Sequence, residues 1–409
     1  MYIADFHIHS RYSRATSKNM ELDELARWAA YKGINLLGSA DFTHFLWYHE
    51  LKEKLVETDR EGIYSYKGID FILTTEVSHI YEKHGRTKKV HNLIFLSSVE
   101  NAGRFNRILE RYADLNSDGR PILTVDAKEI VKLVFDADEK GFVVPAHIWT
   151  PHFSVFGSNS GFDAIEECFE DMTNEIFALE TGLSSDPAMN WMVSALDRFS
   201  LISNSDAHSP WKIGREANVF DAPFSFDELR SILKYRNSKR FLYTVEYFPE
   251  EGKYHFDGHR NCNICFSPEE SLEKGNLCPV CGRKLTVGVL HRVKELSDRN
   301  YGEKHRYSIP FKKIIPLSQI IGFSMNKSAD SISVRNRLIE ILNVAGNEFS
   351  VLIETPLKEL AGRMDENTLN LLSSMRKGEV EIKPGYDGEF GKIEISVESD
   401  KSSDTQSLF

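Results

Sequence analysis

The sequence predicts an α/β protein in which a β/α barrel is followed by a four-cysteine zinc-binding module and a small helical C-terminal domain. Three observations predict this order. Short apolar runs alternate with amphipathic helices over residues 1–246. Histidines and carboxylates follow these runs, at the positions where barrel strands end. Two Cys-x2-Cys pairs then lie between residues 262 and 281.

The predicted elements of the barrel follow from the spacing of apolar residues. Seven apolar runs are short enough for strands: Ile3–His7, Ile34–Ser39, Asp70–Thr75, Val90–Leu96, Phe142–Ala146, Ile176–Glu180 and Leu201–Asn204. Helical spacing occurs in Glu21–Tyr31, Asp126–Asp138 and Phe226–Tyr235. Repeated βα units predict a parallel sheet with right-handed crossovers, and polar residues at successive strand ends favour a closed barrel.

The remaining chain is divided by its composition. We expect the barrel in residues 1–246, the zinc module in 247–322, a helical domain in 323–397 and a disordered tail in 398–409. Three short helices are predicted in the third region: Ser331–Ala345, Pro356–Gly362 and Glu366–Met375. They precede a strand pair, Glu379–Lys383 and Gly391–Val397, which flanks a Gly-rich turn.

Bulk composition limits the class of protein. The chain has 409 residues, 41% of them hydrophobic and 27% charged, which is typical of a soluble globular protein. It shows neither a signal peptide nor a membrane-spanning run, so we expect a cytoplasmic location. The net charge of −11 argues against a surface wholly covered by nucleic acid. Residues 252–315, however, contain 12 Lys and Arg against 7 Asp and Glu, so a local DNA-binding surface is possible.

A metal site is predicted at the strand ends. Side chains at i and i+2 of a strand point to the same face, so His7 and His9 project together. The predicted ligands, which are also the predicted catalytic residues, are His7, His9, Asp41, Glu76, His91, His147, Asp206 and His208. This mixture of imidazole and carboxylate suits two or three divalent ions, with zinc expected and manganese or magnesium as the alternatives. Such ions ionise a water and stabilise an in-line phosphoryl displacement.

A second metal site is predicted from cysteine spacing. Its four thiolates are Cys262, Cys265, Cys278 and Cys281, with twelve residues between the two pairs. Two Cys-x2-Cys knuckles of this kind suit one tetrahedral structural zinc. Two disulfides are the alternative, which a cytoplasmic location disfavours.

The ligand pattern resembles the PHP (polymerase and histidinol phosphatase) superfamily of metal-dependent phosphoesterases. The resemblance rests on His7-Ile8-His9 and Asp206-Ala207-His208 and covers about the first 240 residues. It implies a distorted seven-stranded barrel and a multinuclear metal site. The family usually has Asp-His where this chain has Asp41-Phe42, so two ions are as plausible as three, and His44 is an alternative ligand.

The whole chain resembles the endonuclease Q family of DNA-repair enzymes. Supporting segments are His7–Ser13, Cys278–Val293 and Pro310–Leu317. The resemblance implies hydrolysis of the phosphodiester 5′ to deaminated bases (uracil, hypoxanthine, xanthine) and abasic sites, with the damaged base extruded. Double-stranded DNA would be the main partner, and single-stranded DNA would be a further one. A PHP-type phosphatase or exonuclease and a non-catalytic nucleic-acid-binding module are the alternatives.

Basic residues near these motifs are candidate DNA contacts. They are Arg11, Arg14, Lys18, Arg283, Lys284, Arg292, Lys312 and Lys313. The first three follow the His-x-His motif, where the phosphates flanking the scissile bond would lie. The tail ends in Gln406-Ser407-Leu408-Phe409, which resembles part of a clamp-binding peptide and suggests a sliding clamp as a further partner.

Overall fold

The computed structural model describes residues 1–395 and divides into two compact units. The first comprises residues 1–314 and 384–391, and the second comprises residues 315–383 and 392–395. The first unit therefore contains the predicted barrel together with residues 247–314 of the predicted zinc module, while residues 315–322 of that module belong to the second unit. The predicted tail and the clamp-like peptide lie outside the described residues. No helix within residues 1–395 has the length and apolar character needed to cross a bilayer.

The first unit contains the strands and helices of the barrel and the zinc module. Its strands are β1 (Tyr2–Asp5), β2 (Leu36–Gly38), β3 (Val56–Glu57), β4 (Ile63–Tyr66), β5 (Ile69–Lys83), β6 (Arg86–Leu96), β7 (Ile122–Leu123), β8 (Phe142–Pro145), β9 (Ala178–Glu180), β10 (Ser200–Ile202), β11 (Ala217–Phe220), β12 (Phe241–Glu246), β13 (Asp257–His259), β14 (Ile264–Phe266) and β15 (Phe311–Lys313). Its helices are α1 (Leu22–Lys32), α2 (Phe45–Lys54), α3 (Val99–Leu109), α4 (Ala127–Ala137), α5 (Ile165–Phe169), α6 (Pro187–Asn190), α7 (Phe226–Lys234), α8 (Pro268–Glu273) and α9 (Val289–Leu296).

The barrel sheet is mixed rather than wholly parallel. Its main path runs β15-β12-β11-β1-β2-β5-β4-β3, and β6 joins β5 to β8. Strands β1, β2 and β5 are parallel, as predicted. Strand β6 is antiparallel to both β5 and β8, and β11 is antiparallel to both β1 and β12. Strands β9 and β10 form a separate parallel pair. These reversals account for the distortion of the barrel.

A long hairpin causes one of these reversals. Strand β5 continues well beyond the predicted Asp70–Thr75, and a two-residue turn at His84-Gly85 leads into β6. Both turn residues have positive φ, 53° and 69°, as in the type I′ turn that suits the twist of a hairpin. The register places Glu76 opposite Leu93 and Ser78 opposite His91. Glu76 and His91 therefore project from the same face of the hairpin.

Aromatic side chains fill the barrel interior. The ring of Phe6 lies 5.6 Å from that of Phe95, and Phe95 stacks on Phe142 at 4.4 Å. Strand β2 approaches β1 so closely that a Cβ at Gly38 would lie 2.1 Å from the Phe6 carbonyl oxygen, so this position requires glycine. This packing fixes the end of β1, from which His7 and His9 project.

The second unit consists of helices and one hairpin. Its elements are α10 (Leu317–Met325), α11 (Ile332–Ala345), a π-helical turn (Ser350–Glu354), α12 (Leu357–Leu360), α13 (Glu366–Lys377), β16 (Val380–Lys383) and β17 (Lys392–Ile395). The three predicted helices correspond to α11, α12 and α13. Ser331 caps α11 by accepting a hydrogen bond from the Val334 backbone N–H.

Candidate metal centre

His7 and His9 lie just beyond β1, and both side chains are fully buried. Each ring has its Nδ1 engaged by a carboxylate. His7 Nδ1 lies 3.0 Å from Glu180 Oε1, and His9 Nδ1 lies 3.0 Å from Asp41 Oδ1. A carboxylate on one ring nitrogen orients the imidazole and leaves the other nitrogen free for a metal. Both Nε2 atoms are therefore presented as ligands.

The predicted ligands form three overlapping groups. Within each group, the donor atoms lie within 4.8 Å of one another. The groups are His7, His9 and Glu76; His9, Asp206 and His208; and Glu76, His91 and His147. Because His9 and Glu76 each belong to two groups, the groups form one continuous site. Seven of the eight predicted ligands thus lie together. Three adjacent groups with shared ligands suit a multinuclear centre.

Three buried polar atoms support a cation in this site. His7 Nε2, His9 Nε2 and Asp206 Oδ1 have no hydrogen-bond partner among the described residues. His9 Nε2 lies 3.1 Å from Asp206 Oδ1, and His7 Nε2 lies 3.7 Å from the same oxygen. Buried polar atoms normally have partners, so their convergence fits a divalent metal that these atoms would share.

The electrostatics of the site favour positive charge. Burial opposes protonation of His7, but the carboxylates of Glu180 and Glu76 raise its pKa well above the usual value. Burial also opposes ionisation of Asp206, yet the neighbouring imidazoles of His9 and His7 lower its pKa well below the usual value. Carboxylates that stabilise a proton in this way also stabilise a metal cation.

Two ligands have an unfavourable backbone conformation. His147 has φ of 32° and Asp206 has φ of 45°, both in the left-handed region that side chains other than glycine seldom adopt. Each follows a strand and turns its side chain back into the site. Strain of this kind persists where the surrounding structure enforces a functional geometry.

Asp41 differs from its predicted role as a ligand. One oxygen holds His9, and the other accepts hydrogen bonds from the Ser10 backbone N–H, the Ser10 hydroxyl and the Ser13 hydroxyl. With both oxygens occupied, Asp41 supports His9 and lies outside the three groups. His44 also lies outside them, because its ring stacks on Tyr12 with 4.2 Å between centroids.

Two residues at the centre were not predicted from the sequence. Glu180 binds His7 and also accepts hydrogen bonds from the His147 backbone N–H and the Asn204 side chain, both at 2.8 Å. Arg120 donates from Nη1 to Glu76 Oε2 at 2.9 Å. Glu180 lies at the end of a predicted strand, as several predicted ligands do, so its position in the sequence could have identified it as a residue of the site. Arg120 lies in a loop without a motif.

The zinc module contains a metal-binding group that differs by one residue from the predicted four cysteines. The group is His259, Cys262, Cys278 and Cys281. Cys265 pairs with Gly258 in the β13–β14 hairpin, whereas His259 pairs with Ile264. Because side chains alternate along a strand, Cys265 points away from the face that carries His259. Three thiolates and one imidazole are a common structural zinc set.

The side chains predicted to contact DNA differ in whether they are exposed or engaged by other groups of the protein. Arg11, Arg14, Lys18, Arg283, Lys284 and Lys312 are exposed. Arg292 instead donates to the backbone oxygens of Phe156 and Phe162 and pairs with Asp163, so it ties the zinc module to a barrel loop. Lys313 lies 2.8 Å from the buried carboxylate of Asp186. The structure therefore argues against Arg292 and Lys313 as phosphate contacts.

The chain is similar to one family model and to two proteins of known sequence. Residues 316–379 match the family model described as the MJ0043 C-terminal domain. MJ0043 of Methanocaldococcus jannaschii is 32% identical over 60% of this chain, but the match spans only 31% of that protein. YqxK of Bacillus subtilis is 30% identical over 95% of this chain and 98% of its own length. Both relatives are described as uncharacterized.

Two solved structures are similar over almost the whole chain. The lesion-specific endonuclease PfuEndoQ from Pyrococcus furiosus has a TM-score of 0.84 and 30% identity, covering 96% of this chain and 95% of its own. A complex of endonuclease Q with a 27-mer duplex substrate, which has an abasic lesion at the active site, has a TM-score of 0.85 and 30% identity. That match covers 98% of this chain and 99% of the other.

Proposed function

Because the chain belongs to the endonuclease Q family and is a metal-dependent hydrolase, we propose that it is a DNA-repair endonuclease acting at damaged bases. In this proposal it hydrolyses the phosphodiester 5′ to deaminated bases (uracil, hypoxanthine, xanthine) and to abasic sites. The products are a 3′-hydroxyl and a 5′-phosphate. Duplex DNA is the principal partner, and single-stranded DNA is a possible second one.

The observation that carries the proposal is the continuous ligand set within this fold. His9 and Glu76 each belong to two groups of potential ligands, so adjacent metal positions share residues. Metals bound there would supply a water ionised at neutral pH and would stabilise charge on the attacked phosphate. Glu180 and Asp41 fix the orientation of His7 and His9 before substrate arrives. A serine or cysteine nucleophile is not required by this arrangement.

A groove in the first unit offers space for an extruded nucleotide. A groove of about 600 Å³ runs between the loop after His147 and the zinc module. Its lining includes His152, Asn159, Tyr254 and Thr286, which provide hydrogen-bonding groups and one aromatic ring. Enzymes that act on a damaged base commonly take it out of the stack and recognise it with such groups. The groove supports extrusion of the lesion as the basis of selectivity.

The test is single-turnover cleavage of matched duplexes by the metal-loaded protein. The duplexes carry an abasic site, uracil, hypoxanthine, xanthine or no lesion, and ligation maps the product ends. We expect one nick 5′ to each lesion. Uracil opposite guanine should be cut faster than uracil opposite adenine, because the weaker pair is easier to open. The His9→Ala variant is the matched inactive control.

Other outcomes would identify the alternative functions. Release of mononucleotides from strand ends would indicate an exonuclease, and hydrolysis of mononucleotides alone would indicate a phosphatase. Binding of lesion DNA without hydrolysis in any divalent metal would indicate a non-catalytic module. Equal cutting of undamaged DNA would contradict the proposed selectivity.

A further inference from the structure

Arg120 is a half-buried cation beside the candidate metal centre. Its guanidinium donates to Glu76 Oε2 at 2.9 Å, and its side chain retains 23% exposure, whereas that of Glu76 has none. The same Glu76 oxygen lies 3.4 Å from His9 Nε2. Arg120 therefore reaches the carboxylate that joins two ligand groups, while part of its side chain is exposed to solvent.

The backbone holds Arg120 in this position. The preceding residue, Gly119, donates to the Tyr12 carbonyl and accepts from the Thr43 hydroxyl. A Cβ at Gly119 would lie 2.5 Å from Asp41 Oδ2, so the loop packs directly against the residue that supports His9. On the other side, Pro121 accepts a hydrogen bond from the Ser78 backbone N–H in β5. The Arg120 side chain is thus aimed at the ligands by contacts on both flanks.

The guanidinium has unused hydrogen-bonding capacity. Among the described residues, Glu76 is the one group within hydrogen-bond or ion-pair distance of the Arg120 side chain. A guanidinium has five N–H donors, and its fork matches two oxygens of a phosphate. The nearby Arg215 differs, because its Nε and Nη2 donate to the backbone oxygens of Ser205 and Asp206. Most of the Arg120 N–H donors are therefore available for an anion.

We propose that Arg120 contacts a non-bridging oxygen of the scissile phosphate and is a catalytic residue of this hydrolase. The inference rests on the proposed function and specifies how the phosphate is recognised. Metals bound at the site would offset the charge of the carboxylates there, and Arg120 adds a fixed positive charge beside Glu76. A positioned guanidinium stabilises the charge that develops during phosphoryl transfer.

The test measures how strongly DNA affinity depends on the negative charge of the scissile phosphate, and whether Arg120 causes that dependence. Two uncleavable abasic duplexes are compared with the full-length, metal-loaded protein. One carries a phosphorodithioate at the scissile linkage, which keeps the negative charge, and the other a neutral methylphosphonate. In the wild type the neutral duplex should bind about tenfold or more weakly, as expected for loss of a charge-assisted hydrogen bond.

The ratio of the two affinities, charged duplex over neutral duplex, should be about tenfold smaller in the variant Arg120→Gln. The ratio that remains is the part contributed by other groups. The matched control is Arg240→Gln, since Arg240 also pairs with a carboxylate, Asp221, at 27% side-chain exposure. Asp221 follows Phe220, which pairs with Tyr2 at the end of β1 remote from the histidines. This variant should keep the wild-type ratio.

Three outcomes would overturn the proposal or the function on which it rests. An unchanged ratio in Arg120→Gln removes the phosphate contact. If this variant loses metal and Arg120→Lys recovers neither metal nor ratio, Arg120 serves only to hold Glu76, and the proposal fails. If the wild type binds neither abasic duplex better than undamaged DNA, the proposed function itself fails.

Discussion

Replacement of Glu180 by glutamine should weaken metal binding without unfolding the barrel. Glu180 is fully buried, and its two oxygens accept from the His7 ring, the His147 backbone N–H and the Asn204 amide. An amide keeps only one acceptor oxygen, so its NH₂ group must face at least one N–H donor. The variant therefore leaves a buried donor unsatisfied and removes the charge that orients His7.

The expected size of this effect follows from the role of Glu180 behind a ligand. Loss of a carboxylate that orients a metal-bound histidine costs about 10- to 100-fold in metal affinity or activity. The unsatisfied buried donor adds a destabilisation of about 1–3 kcal/mol. Both effects should appear in Glu180→Gln, with metal affinity measured by competition against a chromogenic chelator and stability by thermal unfolding.

A second buried glutamate supplies the control for this experiment. Glu246 is also fully buried, but its neighbours are the hydroxyls of Thr244, Ser203 and Thr181, which can donate or accept. Burial raises its pKa to about 8, so it is protonated at neutral pH and resembles an amide. Glu246→Gln should leave metal affinity unchanged. Equal loss in both variants, or no loss in Glu180→Gln, would refute the reasoning.

Three further predictions concern the metal sites and pH. His9→Ala should abolish cleavage and retain most DNA binding, as measured by single-turnover assay and fluorescence anisotropy, because bound metals would supply the nucleophile while other surfaces would hold the duplex. Cys278→Ser should release one zinc per chain in atomic emission, whereas Cys265→Ser should retain it; equal release would restore the four-thiolate site. Since folded Glu246 keeps its proton to about pH 8, against a usual value of 4.5, its contribution to stability should fall as pH rises through that window. Glu246→Gln should therefore raise Tm relative to wild type more at pH 8 than at pH 5, and a pH-independent difference would count against the protonated carboxyl.

The sequence was sufficient to predict most of the metal centre because strand alternation is a strong rule. In an extended chain, the two histidines of a His-x-His motif point to the same face, and the side chains of His7 and His9 lie on one side of the chain as this rule predicts. The same rule, applied to the zinc module, would have excluded Cys265 if the β13–β14 register had been known. Cysteine spacing alone does not contain that register, so His259 was not predicted.

Long-range contacts explain what else could not be predicted. Glu76 was assigned to a strand end, yet it lies within the fifteen-residue strand β5. The turn that extends this strand, His84-Gly85, lacks the Asn-Gly or Asp-Gly pair that usually marks a type I′ hairpin. The ion pair between Lys313 and Asp186 joins residues far apart in the chain, so a lysine that resembled a phosphate contact proved to be internal.

The pairing of β1 with β11 sets a condition on when the protein can become active. Tyr2 pairs with Phe220, so the strand that leads to His7 is secured only after more than half of the chain has been made. At about 5–20 residues per second, synthesis of this stretch takes on the order of tens of seconds. The hairpin that carries Glu76 and His91 can form early from local contacts, whereas the groups containing His7 and Asp206 wait for barrel closure. A nascent or truncated chain that lacks β11 would therefore have an incomplete ligand set.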